Sequence, residues 1–223
     1  MSVPIKQNFV SSSKYSIKCP NKMSPEYITV HNTANDASAE NEIKYMINNN
    51  NQVSYHFAVD DKEIIQGLPL DRNAWHCGDE KGNGNMKSIG VEICYSKSGG
   101  TKYKAAEENA VKLIAQLLKE RSWGIDRVKQ HHDWSGKDCP HRIRAEGTWT
   151  SFLSRIETAM KKESVRMFKP STNTLKNEML SFLERAQQDG ILSSKDWTTK
   201  LRKGELSLDD ALCLMATIHN RSK

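Results

Sequence analysis

The chain has 223 residues and a formal net charge of +6, with a composition typical of a globular protein. That length is sufficient for one full core and a small additional module. No run approaches the roughly 20 apolar residues that span a bilayer, so membrane insertion is not expected. The five cysteines are irregularly spaced and odd in number, which argues against a disulfide framework.

The two ends of the chain differ in character. The start lacks the basic residues, apolar stretch and small-residue cleavage site of a secretory signal, so we expect synthesis in the cytoplasm without a signal peptide. Residues 161–223 hold 12 Lys/Arg against 8 Asp/Glu, which leaves only +2 for the first 160 residues. A basic segment suits an anionic polymer, either nucleic acid or cell wall, and charge alone does not choose between them.

The first 160 residues alternate strand-like and helix-like patterns. In residues 27–31, Ile28 and Val30 share one face and His31 ends the other face. The further predicted elements are a helix at 39–48, a hairpin formed by 54–59 and 63–66, a strand at 89–94, a helix at 104–121, a short strand at 127–130 and a helix at 150–161. This order predicts an α/β domain with a central mixed β-sheet flanked by helices.

The remainder of the chain predicts a small all-α C-terminal domain. A polar stretch at 162–174 interrupts the alternation and is interpreted as a linker between a domain at 1–161 and a module at 175–223. Residues 175–188 carry an apolar helical face that ends at Asp189-Gly190. Ser193 and Ser207 each open a Ser-x-x-acid pattern typical of a helix start.

A histidine and cysteine pattern in residues 130–140 carries the chemistry. His131 and Cys139 lie eight residues apart across a loop that can fold back to place a nitrogen and a thiolate about 2.0 to 2.3 Å from one ion. His132 is an alternative to His131, because adjacent side chains in an extended segment point to opposite faces and only one can readily reach the ion. His31, at the end of a predicted neighbouring strand, is the best third ligand.

Five short motifs, taken together, resemble a known family. They are Val30-His31-Asn32-Thr33, Ser54-Tyr55-His56-Phe57, Trp75-His76-Cys77-Gly78, Ser88-Ile89-Gly90-Val91-Glu92 and His131 through Pro140. In this order they are similar to the zinc-dependent N-acetylmuramoyl-L-alanine amidases of the type 2 amidase family. That family includes many phage endolysins, and peptidoglycan recognition proteins are similar to it. The resemblance spans about residues 27–152.

The resemblance implies a site with one Zn²⁺ ion. The metal ligands would be His31, His131 and Cys139, and the family spacing selects His131 over His132. Three residues would be catalytic: Glu92 as the base that activates water, Lys137 as the stabiliser of the oxyanion, and Tyr55 near the metal. The residues implied to border the substrate groove are His76, Trp75, Asn32, Thr33 and Trp134.

The implied activity is that of an endolysin-type peptidoglycan hydrolase. It would cleave the amide between N-acetylmuramic acid and L-alanine after release to the wall through a holin-type pore, with the helical module targeting the wall. Alternatives are a chromosomal wall-remodelling amidase and a peptidoglycan-binding receptor without catalysis, against which Cys139 argues. A nucleic-acid-binding protein with a structural zinc is disfavoured because the ligands are far apart in sequence. Self-association through the C-terminal helices stays open.

Overall fold

The computed structural model describes residues 4–164, 168–194 and 196–221. The chain divides into two compact units, residues 1–160 and 161–223, and each is described by itself. In the described segments no helix combines the length and the apolar content needed to cross a bilayer.

In the first unit the described residues form one mixed sheet of six strands, five of which the sequence predicts and one of which, at Ile5–Gln7, it does not. Their order across the sheet is β1-β4-β3-β5-β2-β6. Strands β3 and β4 form the predicted antiparallel hairpin, and the other neighbouring pairs are parallel. The strands are β1 (Ile5–Gln7), β2 (Tyr27–Asn32), β3 (Phe57–Val59), β4 (Ile64–Gln66), β5 (Ser88–Ile93) and β6 (Val128–Gln130).

Helices cover both faces of this sheet. Alternate apolar residues of β2 and β5, such as Val30 and Val91, pack against α4 and α7 in the larger core, whereas Ala58 and Ile65 pack against α2 on the other face. The helices of this unit are α1 (Tyr15–Lys18), α2 (Ala39–Asn48), α3 (Asn83–Lys87), α4 (Gly100–Glu120), α5 (His132–Ser135), α6 (His141–Ala145) and α7 (Trp149–Ser164).

The parallel strands β5, β2 and β6 end at the same edge of the sheet. His31 lies directly beside Glu92 in the register of β2 and β5, and Val30 pairs with Gln130 of β6. His131 is the residue after β6, so the backbone delivers three chemically active side chains to one edge. Open α/β sheets commonly bind ligands at this edge, outside the carboxyl ends of the strands.

The second unit contains three helices and a small core of its own, as predicted. They are α8 (Asn173–Gln188), α9 (Asp196–Lys203) and α10 (Leu208–Arg221), packed around Leu183, Leu201 and Leu214. The predicted linker at 162–174 is partly helical, because α7 extends to Ser164 and α8 begins at Asn173, capped by the Thr172 side chain.

Candidate active site

The structure brings His31, His131 and Cys139 together in the protein interior. The two histidine Nδ1 atoms lie 3.0 Å apart, and the Cys139 Sγ lies 3.7 Å from Nδ1 of His31. All three side chains are buried, with exposed fractions of 2, 5 and 6 %. His132 instead begins the short helix α5 and donates its backbone N–H to the Cys139 carbonyl.

The loop between His131 and Cys139 is closed by local hydrogen bonds. The Asp133 carboxylate accepts the Gln130 N–H at 2.8 Å, and α5 ends at Gly136, whose φ of 76° suits a residue without a side chain. The chain then turns back toward the sheet. One turn of helix followed by a left-handed glycine therefore lets two ligands eight residues apart approach the same point.

Burial keeps these three groups uncharged. It lowers the pKa of His31 well below its usual range and that of His131 to about 4, and it raises the pKa of the Cys139 thiol to about 12. When each ring carries its single proton on Nε2, the two Nδ1 lone pairs face each other, and that contact is unfavourable. A cation bound to both lone pairs and to a thiolate resolves the conflict, so the residues fit a metal with nitrogen and sulfur ligands.

Glu92 stands beside the three ligands with an unsatisfied carboxylate. Its Oε2 is buried and has no hydrogen-bond partner among the described residues. Burial, reinforced by the carboxylate of Glu42, raises the pKa of Glu92 to about 8, and the Lys137 ammonium opposes this. A carboxyl group with a raised pKa at the edge of a ligand cluster is suited to accept and return a proton near neutral pH.

A cavity of about 680 Å³ opens onto the ligands, and the exposed Lys137 lies at its margin. Its lining includes Trp75 and His76, which are predicted to border the substrate groove, together with His131 of the ligand cluster and basic side chains. The lining residues are Gln52, Val53, Trp75, His76, Gly78, Glu80, Lys81, Asn85, His131, Ser135 and Lys137. Lys137 also lies close enough to His31, His131 and Glu92 to shift their pKa values.

Tyr55 and Thr33 line a second cavity, of about 580 Å³. The Tyr55 hydroxyl lies 2.9 Å from the carbonyl oxygen of Glu42 and 3.1 Å from its Oε2, and both oxygens can only accept. Tyr55 therefore touches Glu42 directly and reaches Glu92 only through the electrostatic field that raises its own pKa. Its predicted catalytic role stays a prediction, as does the groove role of Thr33.

Three residues predicted to border the groove have other partners. His76 is buried, and its Nδ1 lies 2.8 Å from Nε2 of His31. The Trp134 indole donates to the Thr29 hydroxyl at 2.8 Å and packs edge-on against Tyr27. Trp134 therefore anchors the His/Cys loop to the sheet, and its contact with substrate stays a prediction.

Asn32 also supports the framework around the ligands, and its predicted groove role stays a prediction. Its side chain is buried, and its Oδ1 accepts the backbone N–H of Arg142 at 3.0 Å, three residues after Cys139. The Arg142 guanidinium continues this connection by donating to the carbonyls of Ser96 and Lys97 at 2.8 and 2.9 Å. These hydrogen bonds connect the end of β2 and the segment after β5 with the segment after Cys139. They therefore hold the metal-ligand residues in place relative to one another.

Two supporting residues escaped the sequence analysis. Glu42 contacts Tyr55 and raises the pKa of Glu92, yet on α2 it looks like an ordinary solvated acid. Asn85 accepts the backbone N–H groups of His76 and Cys77, each at 2.8 Å, from within a loop that reads as flexible and polar. The position of Asn85 in a glycine-rich loop was the one local signal. Glu42 gave none, because Tyr55 and Glu92, the residues that it affects, are distant in sequence.

Comparison with known proteins decides the family. The family model described as N-acetylmuramoyl-L-alanine amidase matches residues 21–142, a range that contains His31, Glu92, His131 and Cys139. The chain belongs to the N-acetylmuramoyl-L-alanine amidase family. The match covers strands β2 to β6 and the ligand cluster, and leaves β1, α7 and the helical second unit outside.

Relatives and solved structures agree with this membership. XlyB of Bacillus subtilis (strain 168), named an N-acetylmuramoyl-L-alanine amidase, is 68% identical over 158 residues, which are 70% of this chain and 50% of XlyB. The structure of PlyL has 57% identity and a TM-score of 0.68, and covers 69% of this chain and 97% of PlyL. A mutant endolysin from Bacillus subtilis has 42% identity and a TM-score of 0.63, with shares of 69% and 99%.

The curated amidases are longer than the aligned region. This chain spans 50% of XlyB and 60% of the amidase CwlA of Bacillus subtilis (strain 168), which is 64% identical over 163 residues and aligns with 73% of this chain.

The buried carboxyl group predicts a pH-dependent stability of the metal-free protein. Because the folded-state pKa of Glu92 is raised to about 8, its stabilising protonated form is present below about pH 4.5 and is lost as pH rises toward 8. Glu92→Gln should therefore be more stable than the parent at pH 8, on the order of 1–4 kcal/mol, with the difference shrinking at pH 5. Urea unfolding in the presence of a chelator measures this.

Glu157→Gln is the matched control, since Glu157 is exposed on α7. This variant should follow the parent at both pH values. A Glu92→Gln variant that is equally stable at pH 5 and pH 8 relative to the parent would contradict the account of Glu92.

Proposed function

We propose that this chain is a zinc-dependent N-acetylmuramoyl-L-alanine amidase of the endolysin type. It hydrolyses the amide between the lactyl group of N-acetylmuramic acid and L-alanine in peptidoglycan. The observation that carries the proposal is the meeting of His31, His131 and Cys139 beside Glu92. Family membership and the likeness to named amidases support the same reaction.

Each residue of the site has a defined task in this reaction. His31, His131 and Cys139 would hold the zinc ion, which would supply Lewis-acid chemistry to the scissile carbonyl and the attacking water. Glu92 takes the proton of that water and returns it to the leaving amine of L-alanine. Lys137 places its positive charge at the cavity margin, where it stabilises the oxyanion of the tetrahedral intermediate.

A receptor that binds peptidoglycan without cutting it fits the site less well. Such a protein needs neither a thiolate among the ligands nor an unpaired carboxyl group next to them. The Glu92 Oε2 is buried without a hydrogen-bond partner among the described residues, and this lowers the stability of the fold. A role in a reaction explains why the carboxyl group is kept there. The complete ligand set with an adjacent base therefore favours the enzyme.

The second unit is proposed to target the enzyme to the wall. It folds around its own core and carries +4 of the net charge of +6, which suits an anionic wall polymer. Tethering would raise the local concentration of the catalytic unit at its polymeric substrate. The likeness to an endolysin supports action on the wall after release from the cytoplasm.

The reaction predicts one specific set of new ends in digested wall. Purified peptidoglycan should gain free amino groups on L-alanine without new reducing sugars, and a chelator or Cys139→Ser should abolish this gain. Glu92→Gln should lower the rate about 10²- to 10⁴-fold, because the base is lost while the ligands stay. Mass spectrometry of the released stems, together with an amine and a reducing-sugar assay, distinguishes the outcomes; new reducing ends would contradict the amidase assignment.

The role of Lys137 predicts a loss of turnover with little change in binding. Lys137→Gln should reduce kcat about 10²- to 10³-fold, as expected when a donor to an oxyanion is removed. Lys81→Gln is the matched control, because Lys81 lines the same cavity and is also exposed. Steady-state kinetics with soluble muropeptide measure this difference. An equal loss of activity in both variants would contradict the role of Lys137.

The targeting role predicts weaker wall binding after removal of the second unit. A chain ending at residue 164 should sediment with insoluble wall at least about 10-fold less than the full chain, yet cleave soluble muropeptide at a similar rate. Because the attraction is partly electrostatic, the binding of the full chain should also fall with added salt. Equal sedimentation of the two chains would remove the targeting role.

A further inference from the structure

His76 is a buried histidine that the proposed reaction does not use. Its side chain is 7 % exposed and lies on the side of His31 opposite the ligand cluster, with its Nδ1 2.8 Å from Nε2 of His31. The other nitrogen of His76, Nε2, lies 3.3 Å from the carbonyl oxygen of Ser88. The contacts form a chain from the backbone of β5 through His76 to His31.

The direction of these hydrogen bonds follows from the Ser88 carbonyl oxygen at which they end. A carbonyl oxygen can only accept, so Nε2 of His76 carries a proton and donates to Ser88. A second proton on this ring would make a buried cation, which is disfavoured. Nδ1 of His76 therefore accepts from Nε2–H of His31, and the proton-free nitrogen of His31 is Nδ1, the atom that faces His131 and Cys139.

The surroundings of His76 are built to hold this position. A side chain at Gly90 would place its Cβ 2.9 Å from Nδ1 of His76, so only glycine leaves room for the ring. The Asn85 Oδ1 accepts the backbone N–H of His76 at 2.8 Å and fixes the start of the side chain. Both constraints act on the ring from outside the ligand cluster.

The contact between His31 and His76 is a hydrogen bond and does not form a second metal site. His31, His76 and Cys77 also form a group of three donors, with Cys77 Sγ 3.2 Å from Nδ1 of His76. However, the proton that Nε2 of His31 donates lies between the two ring nitrogens, which leaves no lone pair on Nε2 for an ion. This group therefore acts as a hydrogen-bonded support for His31.

We propose that His76 is a positioning residue that fixes the tautomer and orientation of His31 and thereby sets the affinity of the metal site. This inference rests on the proposed function, because zinc is the ion whose affinity is set. Outer partners of this kind commonly change metal affinity about 10- to 100-fold. The groove contact that the sequence predicts for His76 stays a separate prediction, since His76 also lines the cavity.

Zinc affinity, measured by competition with a chromophoric chelator, tests the proposal. His76→Leu should bind zinc about 10- to 100-fold more weakly, because it removes the acceptor for His31. His76→Asn should recover part of the affinity, since its Oδ1 can accept near the position of Nδ1. His56→Leu is the control, because the His56 ring is also buried and meets the His76 ring edge-on, but its hydrogen bonds go to Gly90 and Arg72 and not to His31; its affinity should stay closer to that of the parent than the affinity of His76→Leu.

A measurement on the unmodified protein keeps the test independent of folding defects. Long-range proton–nitrogen NMR spectra of the zinc-free chain should show His31 protonated at Nε2 and bare at Nδ1. Protonation at Nδ1, or a folded His76→Leu with the affinity of the parent, would overturn the inference. If the parent itself binds no zinc, the proposed function fails while the tautomer result still decides the role of His76 as a support.

Discussion

The contact between the Nδ1 atoms of His31 and His131, 3.0 Å apart inside the protein, is the constraint on which the active site depends. Two neutral imidazoles in this orientation present lone pairs to each other in a region that water hardly reaches. The fold tolerates the contact because other bonds hold each ring in place. The same contact leaves the pair in need of a cation, and Cys139 completes the donor set for one.

Holding uncharged donors and an unpaired acid together in the interior destabilises this edge of the sheet. The opposite face of the same strands compensates, because Ile28, Val30 and Ile89 are fully buried against α4 and α7. Local bonds such as those of Arg142 to Ser96 and Lys97 then prevent the strand ends from separating. Stability and chemistry are thus divided between the two faces of one sheet.

The sequence predicts those parts of the structure that depend on local pattern. Alternating apolar residues placed β2 and β5, and motif spacing brought His31 to the end of its strand beside Glu92. The sequence did not predict that His76 supports His31, because that hydrogen bond depends on Asn85 and on the space that glycine leaves at position 90. The bond from Trp134 to Thr29 was not predicted for a similar reason, since the two residues lie 105 positions apart.

Strand β5 links these features through a single periodicity. Ile89, Val91 and Ile93 enter the core, so the alternate positions Ser88, Gly90 and Glu92 belong to the other face. At these positions the strand provides the Ser88 carbonyl that accepts from His76, the space at Gly90 that the His76 ring fills, and the Glu92 carboxyl group beside His31. A slip of one residue would exchange the two sets, so the hydrophobic core that fixes the register of β5 also fixes the support of the metal ligand and the position of the base.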